Sequence, residues 1–398
     1  MRFALLATRF VLTLLACNWF LSSDQPEYAG LRPGRATEEV QRTIGRSEGS
    51  LNLVTWAGYA EDDWVRPFEE QTGCHVNATY VSSSDEMVTL MANGGGGRYD
   101  LVSASGDVSL NLIFSGAIRP INVNLIPDWK NFWQQFQAPS FDTINGVHYG
   151  VSLQWAPTIL LYNSADFPSV PQSWSVIYDS KYAGRIGIAD GPMQLADAAL
   201  FLMRTDRRLG ISDPYELKRP QFGAVTKLLT QQRLLVRYWR QPSDEIAMFE
   251  RGSAIVGQAW PYQVKTLRAR GVSVGESMPQ EATSGWADSW MVAATARHPN
   301  CSYMWIRWVS RPEIQALQAI SYGETPVNEK ACFEMDKLQL GACAAYHADA
   351  PARYLQYIRF WKTPMVTCDD GKDECTPYSR WEQAWIDIRG NVNQPALP

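Results

Sequence analysis

From Leu51 onward the chain repeats one pattern, a short apolar run, a turn, an amphipathic stretch and another apolar run, and few folds accept it. Leu51, Leu53 and Val54 read as a buried strand that ends at Trp56-Ala57-Gly58-Tyr59, where Gly58 permits a tight bend. Residues 62–72 follow as a helix with acids in the first turn and Gly73 as its stop. Residues 74–81 alternate as a strand. Ser82-Ser83-Ser84 then supplies an N-cap for a helix through Asn93, ended by the run Gly94 to Gly97. A third strand over 99–103 turns at Ser105-Gly106-Asp107 into another helix. This βαβαβ order implies a parallel sheet covered by helices, with ligands at the carboxyl ends of its strands. Trp56 and Tyr59 stand at such an end, so they are candidates for a ligand wall as well as for core.

The same style continues. Strands are expected over 158–162, 185–189, 234–238 and 254–259, with helices over 193–210, 214–231 and 244–251. Further strands fall near Val272 and Met291, and helices over 301–310, 312–321 and, rich in Trp, 378–389. Two α/β lobes follow, the first from 51–157 and 261–325, the second from 158–260 and 326–398.

The amino end is of another kind. Arg2 and Arg9 precede an apolar run over 10–21, shorter than the about 20 residues a span needs. Residues 1–22 therefore read as an export signal, and Leu14-Leu15-Ala16-Cys17 is similar to a lipoprotein signal with Cys17 as a possible lipid anchor. Residues 23–50 lack periodicity and read as a tether. Behind an export signal, six further cysteines favour disulfides. Cys332 with Cys343 and Cys368 with Cys375 are the natural local pairs. Cys74 with Cys301 is then left over, in one of fifteen possible connectivities.

The net charge of −5 and the absence of a basic run argue against nucleic acid. The four histidines lie far apart, and no H-E-x-x-H, G-x-S-x-G or S-x-x-K occurs. Gly94 to Gly97 lacks the Lys-Ser/Thr of a phosphate loop and reads as a flexible loop. Residues 369–374 lack EF-hand spacing and read as a solvated acidic loop. No catalytic residue, metal or cofactor is expected. The chain instead offers sixteen Trp, several beside turn residues, as in Trp260-Pro261-Tyr262 and Gly285-Trp286-Ala287-Asp288. A ring face attracts a cation by roughly 0.5 to 2 kcal/mol, and a buried acid neutralises it.

With Trp56, Tyr59, Tyr99-Asp100-Leu101-Val102, Trp260 and Trp286-Ala287-Asp288 in view, the chain resembles the polyamine-binding (spermidine/putrescine) proteins of bacterial ABC importers from Leu51 to its carboxyl end. The resemblance implies a type II periplasmic-binding-protein fold, two α/β lobes joined by crossing strands with the ligand closed between them. It implies Trp56 and Tyr59 as ring walls, Ser105 as a hydroxyl contact, Trp260 as the ring on the crossover to the first lobe, Asp288 as the acid that meets an amine, and Tyr322 as a further aromatic contact, with Trp239 a weaker candidate. An exported, periplasmic monomer is implied, whose partners are a small cationic amine and an inner-membrane ABC permease. The pattern departs from the family at three places. Asp107 stands where an aromatic is usual, the second lobe's acidic pair falls on Gly191 and Gln194 with Asp190 one place away, and Pro261-Tyr262 follows Trp260 where an acid is often found. Either Asp107 or Asp190 compensates, or the ligand carries one cationic end. Alternatives are a receptor for a zwitterionic or quaternary amine, an exported carbohydrate enzyme with Asp190 and Asp288 as its acid pair, and a lipoprotein serving interaction alone.

Overall fold

The computed structural model describes residues 40–349 and 351–390. The expected export signal, Cys17 and the tether as far as residue 39 lie outside the described residues. Its strands are β1 (Ser50–Trp56), β2 (His75–Val81), β3 (Leu101–Ser105), β4 (Thr143–Ile144), β5 (Val147–His148), β6 (Val151–Pro157), β7 (Ile159–Asn163), β8 (Ile186–Ala189), β9 (Val236–Trp239), β10 (Val256–Ala259), β11 (Val274–Ser277), β12 (Thr283–Val292), β13 (Thr325–Pro326) and β14 (Ile358–Phe360).

Two mixed sheets carry the fold. The first has the order β13-β6-β12-β3-β1-β2, with β14 also on β12, and the second β11-β7-β10-β8-β9. In the first, β1 runs parallel to β2 and β3, as the βαβαβ pattern requires, and β12 closes antiparallel onto β3. All ten residues of β12 are buried, because β6 and β3 flank its carboxyl half and β14 pairs with its start. Five of the sixteen Trp, namely Trp64, Trp155, Trp290, Trp305 and Trp381, are among the largest fully buried side chains, so part of the Trp excess is packing.

The local expectations hold where local chemistry sets them. Asp62–Thr72 is helical and ends on Gly73 at φ 70°. Ser83 caps Ser84–Met91 by accepting from the Glu86 N–H. The run after that helix is an ordered turn rather than a loose loop: Asn93 and Gly94 to Gly97 all have positive φ, and the Thr295 hydroxyl bonds Gly94 and Gly97. Only glycine takes that backbone without cost, which accounts for four in a row.

The chain divides between the sheets differently from the expected lobes. Helix Pro261–Ala269 turns the chain back, so β11 pairs with β7 and residues 261–277 stay with the second sheet. β13 and β14 pair with β6 and β12, which returns 325–360 to the first sheet. The sheets are joined at 157–159 and 277–283, and these two crossings are bonded together. Thr158 N–H donates to the Ser284 carbonyl at 2.9 Å, and the Thr283 hydroxyl to the Thr158 carbonyl at 2.6 Å. A third segment crosses back near Trp361, whose N–H donates to the Gly285 carbonyl. It then leads to helix Tyr378–Arg389, which packs on helix Arg219–Gln232.

Three disulfides are formed: Cys74–Cys301, Cys332–Cys343 and Cys368–Cys375. Residues 40–50, expected as tether, are partly tied beside the first of these. Glu48 accepts from the Asn300 and Cys301 N–H groups, and Ser47 bonds the Gly73 carbonyl. The acidic loop at 369–374 is likewise anchored, with Lys362 bonded to Asp369 at 2.5 Å and Lys218 to Asp373 at 2.6 Å. Cys74–Cys301 spans 227 residues of sequence against 11 and 7 for the others. A loop of that length loses most entropy on closure, so the Cys74→Ser/Cys301→Ser protein should lose about 2 to 5 kcal/mol of stability, more than removal of either short-loop bridge. Thermal melts of the three double variants, followed by circular dichroism, check the order.

Candidate functional site

The turn after β1 is built around a bond that sequence spacing does not announce. Tyr59, buried, donates its hydroxyl to Asp288 Oδ2 at 2.7 Å, and Ser105 Oγ bonds Asp288 Oδ1 in a short contact. Asp288 sits midway along β12 opposite Ser105, the last residue of β3. Three elements therefore converge on one carboxylate that is 2% exposed. Burial raises its pKa to about 6, while the Ser105, Tyr59 and Trp56 side chains pull it back toward the ionised form. Among the described residues no lysine, arginine or histidine forms an ion pair with it.

Rings stand around this acid. Tyr322 meets Tyr59 edge-on at 6.1 Å and donates its hydroxyl to the Ala57 carbonyl at 2.6 Å. Gly58 has a second duty beyond its bend: with φ 91°, a Cβ there would lie 0.7 Å from the Tyr322 hydroxyl. From the second sheet come Trp239, at the end of β9, and Trp260, just after β10, edge-on to each other at 5.3 Å. Trp260 meets Trp286 of β12 at 6.3 Å, so the ring row bridges the sheets. Trp260 is not on a crossover, as expected from the sequence, but caps helix Pro261–Ala269 within the second sheet's half. The buried Trp286 indole N–H has no hydrogen-bond partner.

Asp107 opens helix Gly106–Phe114 and is buried, one oxygen without a partner. Burial, and more weakly the Asp288 and Asp85 charges, hold its pKa up at about 7 against a Ser84 hydrogen bond. Asp190 has a different setting from the one expected. Its carboxylate accepts from the Trp385 indole at 3.0 Å and pairs with Arg389 and with Arg240, the latter at 3.3 Å. It is thus neutralised within the protein and joins β8 to the last helix. Gln194, buried, starts helix Gln194–Thr205, with Asp197 in the same first turn. The acid pair required of a carbohydrate enzyme is not available from Asp190 and Asp288, because the first is spent on two arginines.

The sequence reading passed over several residues. Asp197, on helix Gln194–Thr205, accepts from Gln258 at 3.1 Å and has its pKa raised to about 6 by burial. Glu324, two residues after Tyr322, is buried beside Asp288 and Tyr59. Tyr262 lies 6.3 Å from Tyr322 and, with Glu61, Asp62 and Asp63, lines a cavity of about 360 Å³. The acids of Glu61-Asp62-Asp63 were legible only as the first turn of a helix, since acids favour that position in any helix. Among the described residues the one grouping of possible metal ligands, Glu216 with Cys368 and Cys375, has its sulfurs joined in a disulfide.

Comparison with known proteins agrees with this architecture. Residues 63–338 match the family described as Bacterial extracellular solute-binding protein. The putrescine-binding periplasmic protein PotF of Escherichia coli (strain K12) is 23% identical over 306 residues, 72% of this chain and 80% of that one. Among solved structures, the spermidine/putrescine ABC transporter substrate-binding protein PotD of Streptococcus pneumoniae superposes with a TM-score of 0.66 at 18% identity, covering 86% of this chain and 99% of that one. MotA of A. tumefaciens B6, solved with glucopine, gives 0.65 at 15% identity, over 86% and 100%. The fold is the two-lobed type II fold of periplasmic binding proteins, and the family is one of receptors rather than enzymes. By the match over most of its length, the chain belongs to the bacterial extracellular solute-binding proteins.

Proposed function

We propose that this protein is the receptor of an ABC importer that closes its two lobes on a polyamine of the putrescine or spermidine kind and delivers it to an inner-membrane permease. It works as an exported periplasmic monomer, with Cys17 the point of a lipid anchor. The lobes are 50–157 with 283–360, and 159–277 with 376–389, hinged at the paired crossings around Thr158 and Ser284. The observation that carries the reading is Asp288, a buried carboxylate with hydroxyl partners but no basic one, faced by rings from both sheets. An ammonium group supplies the missing charge, and the rings of Trp56, Trp260 and Trp286 box its alkyl chain. The curated relatives' names, putrescine-binding in Escherichia coli and putrescine/agmatine-binding in Pseudomonas aeruginosa, support the same class.

A second reading, a receptor for a zwitterionic or quaternary amine, is favoured by one feature. Asp190 is occupied by Arg389 and Arg240, so it is not free to meet a second ammonium group. Thermal shifts with putrescine, spermidine, choline-like amines and amino acids separate the readings. Stabilisation only by compounds bearing a carboxylate excludes the polyamine.

Removing the acid tests the assignment directly. Asp288→Asn should weaken putrescine binding by at least about tenfold, the loss expected when one partner of a buried charge pair is removed. Unchanged affinity in calorimetry overturns the role of Asp288. The pH dependence has a fixed sign. Because burial raises the folded-state pKa of Asp288 to about 6, its contribution to the stability of ligand-free protein is full below the ordinary carboxylate range and is lost as pH rises through about 6. Ligand binding needs the ionised form and reverses the trend. Between about pH 4 and 7 the ligand-free melting temperature should fall while the putrescine-induced shift grows, and Asp288→Asn should lessen both, part of the ligand-free fall being left to Asp107 and Asp197.

A further inference from the structure

We propose that Glu324 is a second ligand-binding acid, placed so that the first lobe alone holds the ammonium end of the ligand. The inference rests on the amine-receptor reading and adds a residue to it.

Register places Glu324 on the right face. Helix Pro312–Tyr322 ends at Gly323, whose φ of 79° turns the chain, and Glu324 leads into β13. Thr325 pairs with Trp155 of β6, and Trp155 pairs with Ala287 of β12. Thr325, Trp155 and Ala287 therefore form one row across three strands. Carried back one residue from Thr325, that register sets Glu324 opposite Trp286, next to the bulge in β12 between Ala287 and Ser289 at which Asp288 sits. Strands lie roughly 5 Å apart and residues about 3.3 Å apart along them, which sets the Glu324 backbone about 10 Å from that of Trp286 and about 12 Å from that of Asp288. Glu324 is 7% exposed, and its charge acts on Tyr59 and Tyr322 as that of Asp288 acts on it.

The fold treats this carboxylate unlike several of its other buried ones. Asp100 accepts from the Asn52, Arg297 and His298 N–H groups and contacts the His298 ring. Asp142 accepts from the Ser289 and Thr143 hydroxyls, and Glu281 from Ser173 and the Trp174 N–H. The Glu324 carboxylate has no hydrogen-bond partner and no ion pair among the described residues. The cation that reaches the end of its helix, Lys265, donates to the Ile320 carbonyl and forms no ion pair with Glu324 among the described residues. Its charged neighbour is Asp288, of the same sign, and burial together with that charge lifts its pKa well above the carboxylate range. A protein does not hold two acids together in a dry place without a return, since an unpaired buried charge costs several kcal/mol. The unpartnered Trp286 indole N–H and Asp107 oxygen belong to the same region, so three polar groups there wait for a polar guest. Asp190 cannot share the load from the other lobe, because its charge is met by arginine.

Calorimetry with putrescine on the full protein, comparing wild type with Glu324→Gln, Glu324→Asp, Asp288→Asn and the Glu324→Gln/Asp288→Asn pair, tests this. Glu324→Gln keeps shape and removes charge. It should weaken putrescine at least tenfold while the ligand-free melting temperature stays level, because burial keeps the acid protonated until an ammonium group arrives and Gln is equally neutral. Glu324→Asp should recover part of the affinity, and the double variant should lose less than the product of the single losses, as two acids on one ammonium require. Glu324→Gln binding within twofold of wild type overturns the role of Glu324. So does a loss of affinity matched by a fall of several degrees in the ligand-free melting temperature, the signature of a merely structural group. A wild-type protein that binds no putrescine instead overturns the amine reading itself.

Discussion

Asp288 is the point on which the first lobe's binding face depends. Its two oxygens are taken by Tyr59, from the turn after β1, and Ser105, from the end of β3, so one carboxylate fixes the relative placement of three strand ends. A buried carboxylate is stable there only because hydroxyl donors offset part of its desolvation. The arrangement leaves the group poised, neither neutralised by a base nor fully satisfied, which suits a receptor that must accept a cation and release it.

Around that contact, long-range ties keep the turn from relaxing. Tyr322 bonds the Ala57 carbonyl from a helix more than two hundred residues away and fits only because position 58 lacks a side chain. The Cys74–Cys301 bridge fastens the start of β2 to helix Pro299–Val309 behind the sheet. The two crossing segments at Thr158 and Ser284 are bonded to each other, so the hinge is a short paired unit rather than two independent linkers. Stiff lobes on a narrow hinge let closure bring the rings of β10 and β12 together without rebuilding either.

The second lobe contributes differently. Its best-placed acid is committed to Arg389 and Arg240, and that commitment joins β8 to the last helix. That lobe also carries the Trp239–Trp260 pair, Gln194 and Asp197, which accepts from Gln258.

The sequence by itself determined the parallel strands, most of the long helices and, with them, the α/β class. Period-two and helical patterns, Ser83 as a cap, Gly73 as a stop and the ring-bearing turn at Trp56 and Tyr59 are local, and local sterics and capping fix them wherever the chain goes. It also nominated Asp288 and the Trp260 and Trp286 rings, because aromatics and acids beside turns stand out against a core pattern. Tertiary structure alone decided which charges are free. Tyr59 and Asp288 are 229 residues apart, and Asp190 and Arg389 are 199 apart, so no spacing rule could show that one acid meets a hydroxyl and the other an arginine. The strand partner of β11 was likewise hidden, as were β13 and β14 as strands at all, since stretches of two to four residues carry too little pattern. Glu324 stayed invisible for the same reason: one acid after a helix stop means nothing until the sheet places it beside another.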